Sequence, residues 1–178
     1  VLTCDCGTSA HAAIERLGAA GIDVIVSDHH LPSRPVPECV AVLNPRQPAC
    51  SYPDKDLCAA GVAFKLALAL LAAMGGSENV ALRHLDLVAL ATIADVAPLR
   101  GENRALARYG LKMMRETAHP GLRALIEAGA ISGCGGGPLA AIRVGACSFS
   151  AQNGRSFQWL PRSLIVPLPK SHHRYHFG

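Results

Sequence analysis

Hydrophobic residues near the start of the chain fall into short, partly β-branched runs separated by one stretch of helical spacing. The pattern predicts strands at residues 1–4, 24–26 and 39–43 and a helix at residues 8–17. Thr8 or Ser9 is the candidate N-cap of that helix. A strand, a helix and a second strand form the βαβ unit of a parallel sheet. We therefore expect an α/β fold whose parallel sheet spans residues 1–45 and is flanked by helices.

Beyond a polar, proline-containing loop the apolar positions follow helical periodicity, which predicts a helical part at residues 57–130. The predicted helices cover residues 62–74, 80–96, 102–116 and 121–128. The first two are apolar on nearly every side, so we expect them to be buried. The other two are amphipathic and are expected on the outside.

Composition excludes several classes of protein. Half of the 178 residues are hydrophobic and 17% are charged, which excludes a wholly disordered chain. The longest apolar run, residues 59–74, is interrupted by Lys65 and is too short for a membrane span. Seven cysteines without paired CxxC motifs favour reduced thiols over a disulfide or zinc framework. We expect a cytoplasmic protein that does not associate with a membrane.

Residues 143–178 differ in character from the rest of the chain. They carry five basic residues, no acidic residue and five of the eight aromatic residues. A basic, aromatic arm could bind single-stranded nucleic acid. We favour a disordered tail, or the product of a shifted reading frame, because the segment lacks sustained periodicity. Residues 1–4 resemble the middle of a sheet, so we also expect the chain to be part of a longer one.

Asp5 and Asp28 each directly follow a predicted strand, and His29 and His30 come next. The carboxyl ends of parallel strands meet at the edge where α/β folds bind ligands. Carboxylate and imidazole together suit Mn²⁺, and to a lesser degree Mg²⁺ or Zn²⁺. A single strand-end aspartate is more often a cap or turn residue, but this combination favours a divalent-cation site.

Asp95 lies near the end of the apolar helix predicted over residues 80–96. A carboxylate there is costly unless it is paired or bound to metal, and the helix dipole disfavours it. Asp86 faces the opposite side of the helix, where Arg83 can pair with it. Asp95 has no such local partner. We interpret Asp95 as a metal ligand, with a distant arginine as the alternative.

Two further features could contact a phosphate. Ala60 and Gly61 open a predicted helix, whose free N–H groups can hold a phosphate, although close packing explains these small residues equally well. Arg104 could bring a positive charge to the same crevice. An exposed helix start is the stronger interpretation of Arg104.

Five motifs in order resemble the family of RecJ single-strand-specific DNA exonucleases, within the DHH phosphoesterase superfamily. They are VLTCDCG (1–7), VSDHHL (26–31), NP (44–45), LCAAGVAFKL (57–66) and LDLVALATIADVAPLRGENR (85–104). The resemblance covers about residues 1–142, and these would form part of a DHH domain. Residues 143–178 do not resemble the family.

The resemblance implies a role for each matched residue. Asp5 would bridge two Mn²⁺ or Mg²⁺ ions, and His29 and Asp95 would bind one of them. His30 would contact the scissile phosphate, and Asp28 would orient the imidazoles. The implied reaction is metal-dependent phosphodiester hydrolysis that releases nucleotides from the 5′ end of single-stranded DNA, in recombination and repair.

The chain also departs from the family. We expect it to lack the family's earlier Asp-rich motif and its DNA-binding second domain, one ion site to be incomplete, and the isolated chain to hydrolyse DNA poorly. Two alternatives stay open. One is another DHH phosphoesterase acting on pyrophosphate, cyclic dinucleotides or short oligonucleotides, although LCAAGVAFKL and GENR favour a RecJ-type enzyme. The other is a non-catalytic fragment that binds nucleic acid.

Overall fold

Three short strands form a parallel sheet in the first third of the chain. The computed structural model describes residues 1–32 and 34–131. The strands lie in the order β1 (Leu2–Cys4), β2 (Ile25–Ser27) and β3 (Ala41–Leu43). Helix α1 (His11–Ala19) connects β1 to β2. The expected α/β fold with a parallel sheet is confirmed.

The remaining described residues are mainly helical, as predicted. The helices are α2 (Ala59–Ala73), α3 (Asn79–Leu82), α4 (Leu85–Ala94), α5 (Gly101–Met113) and α6 (Pro120–Ile131), with a 3-10 turn at Met114–Glu116. Within the described ranges, no helix has the length and apolar character needed to cross a bilayer. The predicted change of character at residue 143 lies outside the described residues.

The helix predicted over residues 80–96 is wrong in two respects. The chain forms two helices there, α3 and α4, and α4 ends at Ala94, so that Asp95 is its C-cap. The pairing predicted between Asp86 and Arg83 is also wrong. Asp86 is buried; it accepts a hydrogen bond from Thr117 Oγ1 at 2.5 Å and lies 3.6 Å from His119 Nε2. Thr117 and His119, which lie beyond α5, are therefore the partners of Asp86 in place of Arg83.

Helix α2 is buried only in its first two turns, contrary to the expectation of burial on every side. Its buried residues are Ala59, Gly61, Val62 and Phe64. Leu70 is 51% exposed and Met74, just beyond the helix, is 82% exposed. Apolar composition predicts that a helix can be buried, but burial requires a neighbouring element along its whole length.

Apolar side chains form one cluster against the sheet and two among the helices, a larger and a smaller one. Ile14, Val24 and Val26 pack between α1 and the sheet. In the larger helical cluster, Leu57, Val62, Phe64, Leu85, Val88 and Leu106 join α2, α4 and α5. Burying side chains of this kind supplies most of the folding free energy, roughly 2 kcal/mol for each.

Gly110 allows α4 and α5 to approach closely. A Cβ atom at this position would lie 2.1 Å from the carbonyl oxygen of Leu85 and 2.5 Å from Cβ of Ala89. The obstacle at Leu85 is backbone, which cannot rotate away as a flexible side chain can. Any larger residue at 110 would therefore move α4, the helix that ends at Asp95.

We expect Gly110→Ala to lower the free energy of unfolding by about 3 kcal/mol, because the helices must separate. Urea unfolding would measure the change. The matched control is Gly18→Ala in α1, where a Cβ would meet no atom within 4 Å. That substitution should stabilise the chain by up to about 1 kcal/mol. Equal stability of the two variants would contradict the close contact.

Candidate metal centre

The hydrogen bonds of the sheet extend one residue beyond the strands and position two aspartates. The Asp5 N–H bonds to the Ser27 carbonyl oxygen at 3.0 Å, and the Asp28 N–H bonds to the Leu43 carbonyl oxygen at 3.0 Å. Both acids therefore lie at the carboxyl edge of the parallel sheet, where ligands bind in open α/β folds.

The buried carboxylate of Asp28 organises the loop that follows β2. It accepts hydrogen bonds from the N–H groups of Thr8 at 2.9 Å, His29 at 2.8 Å and His30 at 3.3 Å. It also contacts His30 Nδ1 at 2.7 Å. These bonds hold the backbone of both histidines and the ring of His30.

These contacts also determine the ionisation of Asp28. Burial alone would raise its pKa, but hydrogen bonds from Thr8, from the His30 ring and from the His29 N–H hold the pKa of the carboxyl well below its usual range. An ionised carboxylate can only accept hydrogen bonds, so Nδ1 of His30 carries the hydrogen. The orientation of this ring is therefore fixed, although 62% of the side chain is exposed.

Asn44 joins this loop to the one that follows β1. Its Nδ2 donates to Thr8 Oγ1 at 3.0 Å and to the His30 carbonyl oxygen at 2.8 Å. Sequence reasoning missed both supporting residues. Thr8 or Ser9 was expected to cap α1, but the N-cap is Ala10 and no side chain caps the helix; Thr8 instead contacts Asp28 and Asn44. The available signal was the position of Asn44 directly after β3, at the same edge as both aspartates.

Asp5, His29 and His30 form a cluster of possible metal ligands. One ligand atom of each lies within 4.8 Å of the others. Asp5 Oδ1 is 3.2 Å from His29 Nε2, and Asp95 Oδ2 approaches the same nitrogen at 3.9 Å. The three residues predicted as metal ligands, Asp5, His29 and Asp95, thus meet around one imidazole nitrogen.

The backbone is left-handed at Asp5 and at the residue that follows Asp95. Asp5 has a φ of 62°, and Val96, directly after Asp95, has a φ of 54°. The N–H groups of Val96 and Ala97 bond to carbonyl oxygens in the last turn of α4, each at 3.1 Å. This is the Schellman end of a helix, in which glycine normally occupies the place of Val96. Strained residues of this kind cluster at functional sites.

The surroundings of Asp95 favour a cation. Burial raises the pKa of its carboxyl, and the negative charge of Asp5 raises it further, whereas His29 and His30 lower it. Among the described residues, no arginine or lysine pairs with Asp95, so the alternative of a distant arginine finds no support. Two carboxylates and an imidazole are a donor set that suits Mn²⁺ or Mg²⁺. The residues present therefore fit a divalent cation.

The candidate phosphate-binding residues are not part of this cluster. Ala60 and Gly61 lie in the first turn of α2, where their N–H groups interact with the Cys58 thiol. Burial raises the pKa of that thiol. A Cβ at Gly61 would lie 3.2 Å from Leu57, which favours the packing interpretation of this glycine. Arg104 is exposed on α5 and forms no ion pair with any described residue.

A family model described as the DHH family, N-terminal domain, matches residues 1–92. The chain belongs to the DHH family. It is 42% identical over 127 residues to the single-stranded-DNA-specific exonuclease RecJ of Bacillus subtilis, covering 71% of this chain and 15% of that protein. The RecJ of Escherichia coli is 42% identical over 137 residues, with 71% and 24% covered. A putative single-strand DNA-specific exonuclease of Bacillus phage SPbeta is 34% identical over 170 residues, with 88% and 28% covered.

Solved structures agree with this relationship. A crystal structure of exonuclease RecJ bound to manganese matches with a TM-score of 0.65 and 35% identity, over 86% of this chain and 43% of that one. RecJ of Thermus thermophilus in complex with Mn²⁺ matches with a TM-score of 0.63 and 34% identity, over 86% and 26%. The predicted similarity to RecJ is confirmed. This DHH chain spans less than half the length of each of these relatives.

We expect Val96→Gly to raise the free energy of unfolding by about 1 kcal/mol, because glycine adopts the left-handed conformation without strain. Thermal and urea unfolding would measure the gain. Ala97→Gly, the adjacent control, should instead be neutral or destabilising. A loss of stability in Val96→Gly would contradict the strained turn.

Asp28→Asn should lower the free energy of unfolding at pH 7 by about 2 kcal/mol, since charge-assisted hydrogen bonds are lost. The pKa of Asp28 is depressed in the folded state, so its contribution is complete above the ordinary value of 3.8. The contribution is lost as the pH falls through the depressed pKa. The difference between the two proteins should therefore be constant from pH 7 to 5 and shrink below pH 4. Asp23→Asn, at an exposed position, should show no comparable loss.

Proposed function

We propose that this chain is part of a metal-dependent phosphodiesterase that acts on single-stranded DNA. The observation that carries the proposal is the convergence of Asp5 and Asp95 on Nε2 of His29, at the carboxyl edge of the sheet. Its similarity to proteins named single-stranded-DNA-specific exonucleases supports the choice of substrate. We propose release of nucleotides from the 5′ end, in recombination and repair.

Asp5, His29 and Asp95 would hold Mn²⁺ or Mg²⁺, with Asp5 as the ligand shared between two ions. A bound divalent ion polarises a phosphoryl oxygen and makes water a stronger nucleophile at neutral pH. His30 would contact the scissile phosphate through the exposed edge of its ring. Asp28 would hold that ring through Nδ1, so that its direction does not change during the reaction.

The proposed domain organisation follows from the similarity to the DHH family. Residues 1–142 would form part of a DHH domain, and residues 143–178 a segment of separate character. A cytoplasmic location accords with a DNA substrate and with the unpaired thiols of the five cysteines in the described ranges. Action on pyrophosphate, cyclic dinucleotides or short oligonucleotides is the competing function, and comparing turnover of long and short substrates separates the two.

Metal binding is the first test. Isothermal titration calorimetry of the 178-residue chain with Mn²⁺ should give a Kd that Asp5→Asn and His29→Gln each weaken by about tenfold or more, because each removes a ligand. Asp23→Asn and His119→Gln are matched controls away from the cluster and should retain the wild-type Kd. Unchanged affinity in Asp5→Asn and His29→Gln would overturn the proposed metal centre.

Catalysis is the second test, with a chromogenic phosphodiester and Mn²⁺. His30→Ala should lower the rate by about a hundredfold, because a preorganised contact to the reacting phosphate is removed. Its Kd for Mn²⁺ should change much less than in His29→Gln. We expect slow release of nucleotides from single-stranded DNA by this chain alone. Rapid release would contradict the expectation that one ion site is incomplete.

A further inference from the structure

A shallow pocket of about 400 Å³ includes Leu31, the residue that follows His30, and none of the roles proposed above involves this pocket. The lining residues are Leu31, Arg46, Gln47, Pro48 and Lys55. The volume falls within the range of small-molecule sites, and the lining combines apolar surface with two basic side chains. The pocket therefore has the composition of a site for an anionic ligand with a flat apolar part.

The pocket is connected directly to the histidine proposed to contact the scissile phosphate. Leu31 follows His30 in the chain. Asn44 donates to the His30 carbonyl oxygen at 2.8 Å and accepts from the Arg46 N–H at 2.9 Å. One asparagine side chain thus sets the position of the pocket wall relative to His30.

The loop that forms most of the wall is long and irregular, yet it is held by many contacts. Residues 44–58 contain neither helix nor strand. Arg46 Nη2 pairs with Asp56 Oδ1 at 3.3 Å, and its Nε donates to the Lys55 carbonyl oxygen at 3.1 Å. Lys55 Nζ donates to the Cys50 carbonyl oxygen at 2.6 Å. Long loops in compact domains are usually either functional or disordered, and the contacts above hold this loop in one arrangement.

Helix α5 anchors the same loop from outside. Asp54 Oδ2 accepts the Glu102 N–H at 3.0 Å, and Asn103 Nδ2 donates to the Asp56 carbonyl oxygen at 2.8 Å. Tyr52 also donates to the Glu102 carboxylate. These contacts preorganise the pocket, which reduces the entropy cost of binding.

The side chains that line the pocket have different roles. The guanidinium of Arg46 is paired with Asp56 and serves the structure of the loop. Lys55 is exposed and its ammonium retains two further N–H donors, so it is the cation available to an anion. Leu31 is 72% exposed and, with Pro48, presents apolar surface. Phosphate and an apolar planar group occur together in a nucleotide.

We propose that this pocket binds the nucleotide adjacent to the scissile phosphate, with Lys55 contacting its phosphate and Leu31 and Pro48 packing against its base or sugar. This inference rests on the proposed function. Contact through apolar surface and one point charge reads no base edge, so the site accepts all four bases. An open pocket also suits a strand that must move after each hydrolysis.

The test measures binding of a fluorescent, 5′-phosphorylated oligodeoxynucleotide by anisotropy, with the full 178-residue chain and Ca²⁺ in place of Mn²⁺. Lys55→Gln should weaken binding about fivefold and reduce the slope of log K against log salt by about 0.7. Leu31→Ser should weaken binding to a similar extent but leave the slope unchanged, because it removes no charge.

Matched controls separate the pocket from general charge and hydrophobicity. Lys112→Gln removes an exposed lysine on α5, and Val80→Ser removes an exposed apolar residue on α3. Neither should alter the affinity or the slope, and circular dichroism checks that all four variants are folded. Equal effects of Lys55→Gln and Lys112→Gln, or no binding by the wild-type chain, would overturn the pocket. Failure of the metal centre is detected separately, by Mn²⁺ titration of Asp5→Asn.

Discussion

The buried carboxylate of Asp28 is the interaction on which the candidate site depends. It accepts hydrogen bonds from Thr8, His29 and His30 and is itself held at the edge of the sheet by the Leu43 carbonyl oxygen. A buried charge is tolerated only when such donors surround it. His29 and His30 donate to this carboxylate and also belong to the candidate site. The hydrogen bonds that stabilise the buried charge therefore also determine the shape of the site.

The packing of the helices positions the carboxylate of Asp95. Asp95 reaches His29 because α4 ends at Ala94 and because α4 lies against α2 and α5. The close approach at Gly110 acts on the first half of α4, at Leu85 and Ala89, and the left-handed turn at Val96 follows its C-terminal end. The candidate metal centre therefore joins the sheet and the helical part of the DHH fold, and a cation bound there should stabilise both together.

The loop at residues 44–58 connects the candidate metal centre to the proposed nucleotide pocket. Its contacts run inward to His30 through Asn44 and outward to α5 through Asp54 and Asp56. An irregular segment pinned at both sides can present Leu31 and Lys55 in fixed positions without belonging to the core. This division resembles other α/β proteins, in which a rigid sheet carries functional loops.

The sequence by itself determined the parallel sheet, because β-branched runs and one helical stretch alternate over residues 1–45. It also predicted Asp5, His29 and Asp95 as metal ligands, because Asp5 and His29 follow strands at the carboxyl edge of the sheet and because a carboxylate inside an apolar helix is costly without a partner. Only the tertiary structure decided the roles of Thr8 and Asn44, which lie 36 positions apart and meet through one hydrogen bond. It also decided that α2 is half exposed, that Asp86 pairs with Thr117 and that Arg104 stands apart from any ion pair with a described residue. Periodicity reports the face a residue occupies, whereas its partner is determined by packing between distant segments.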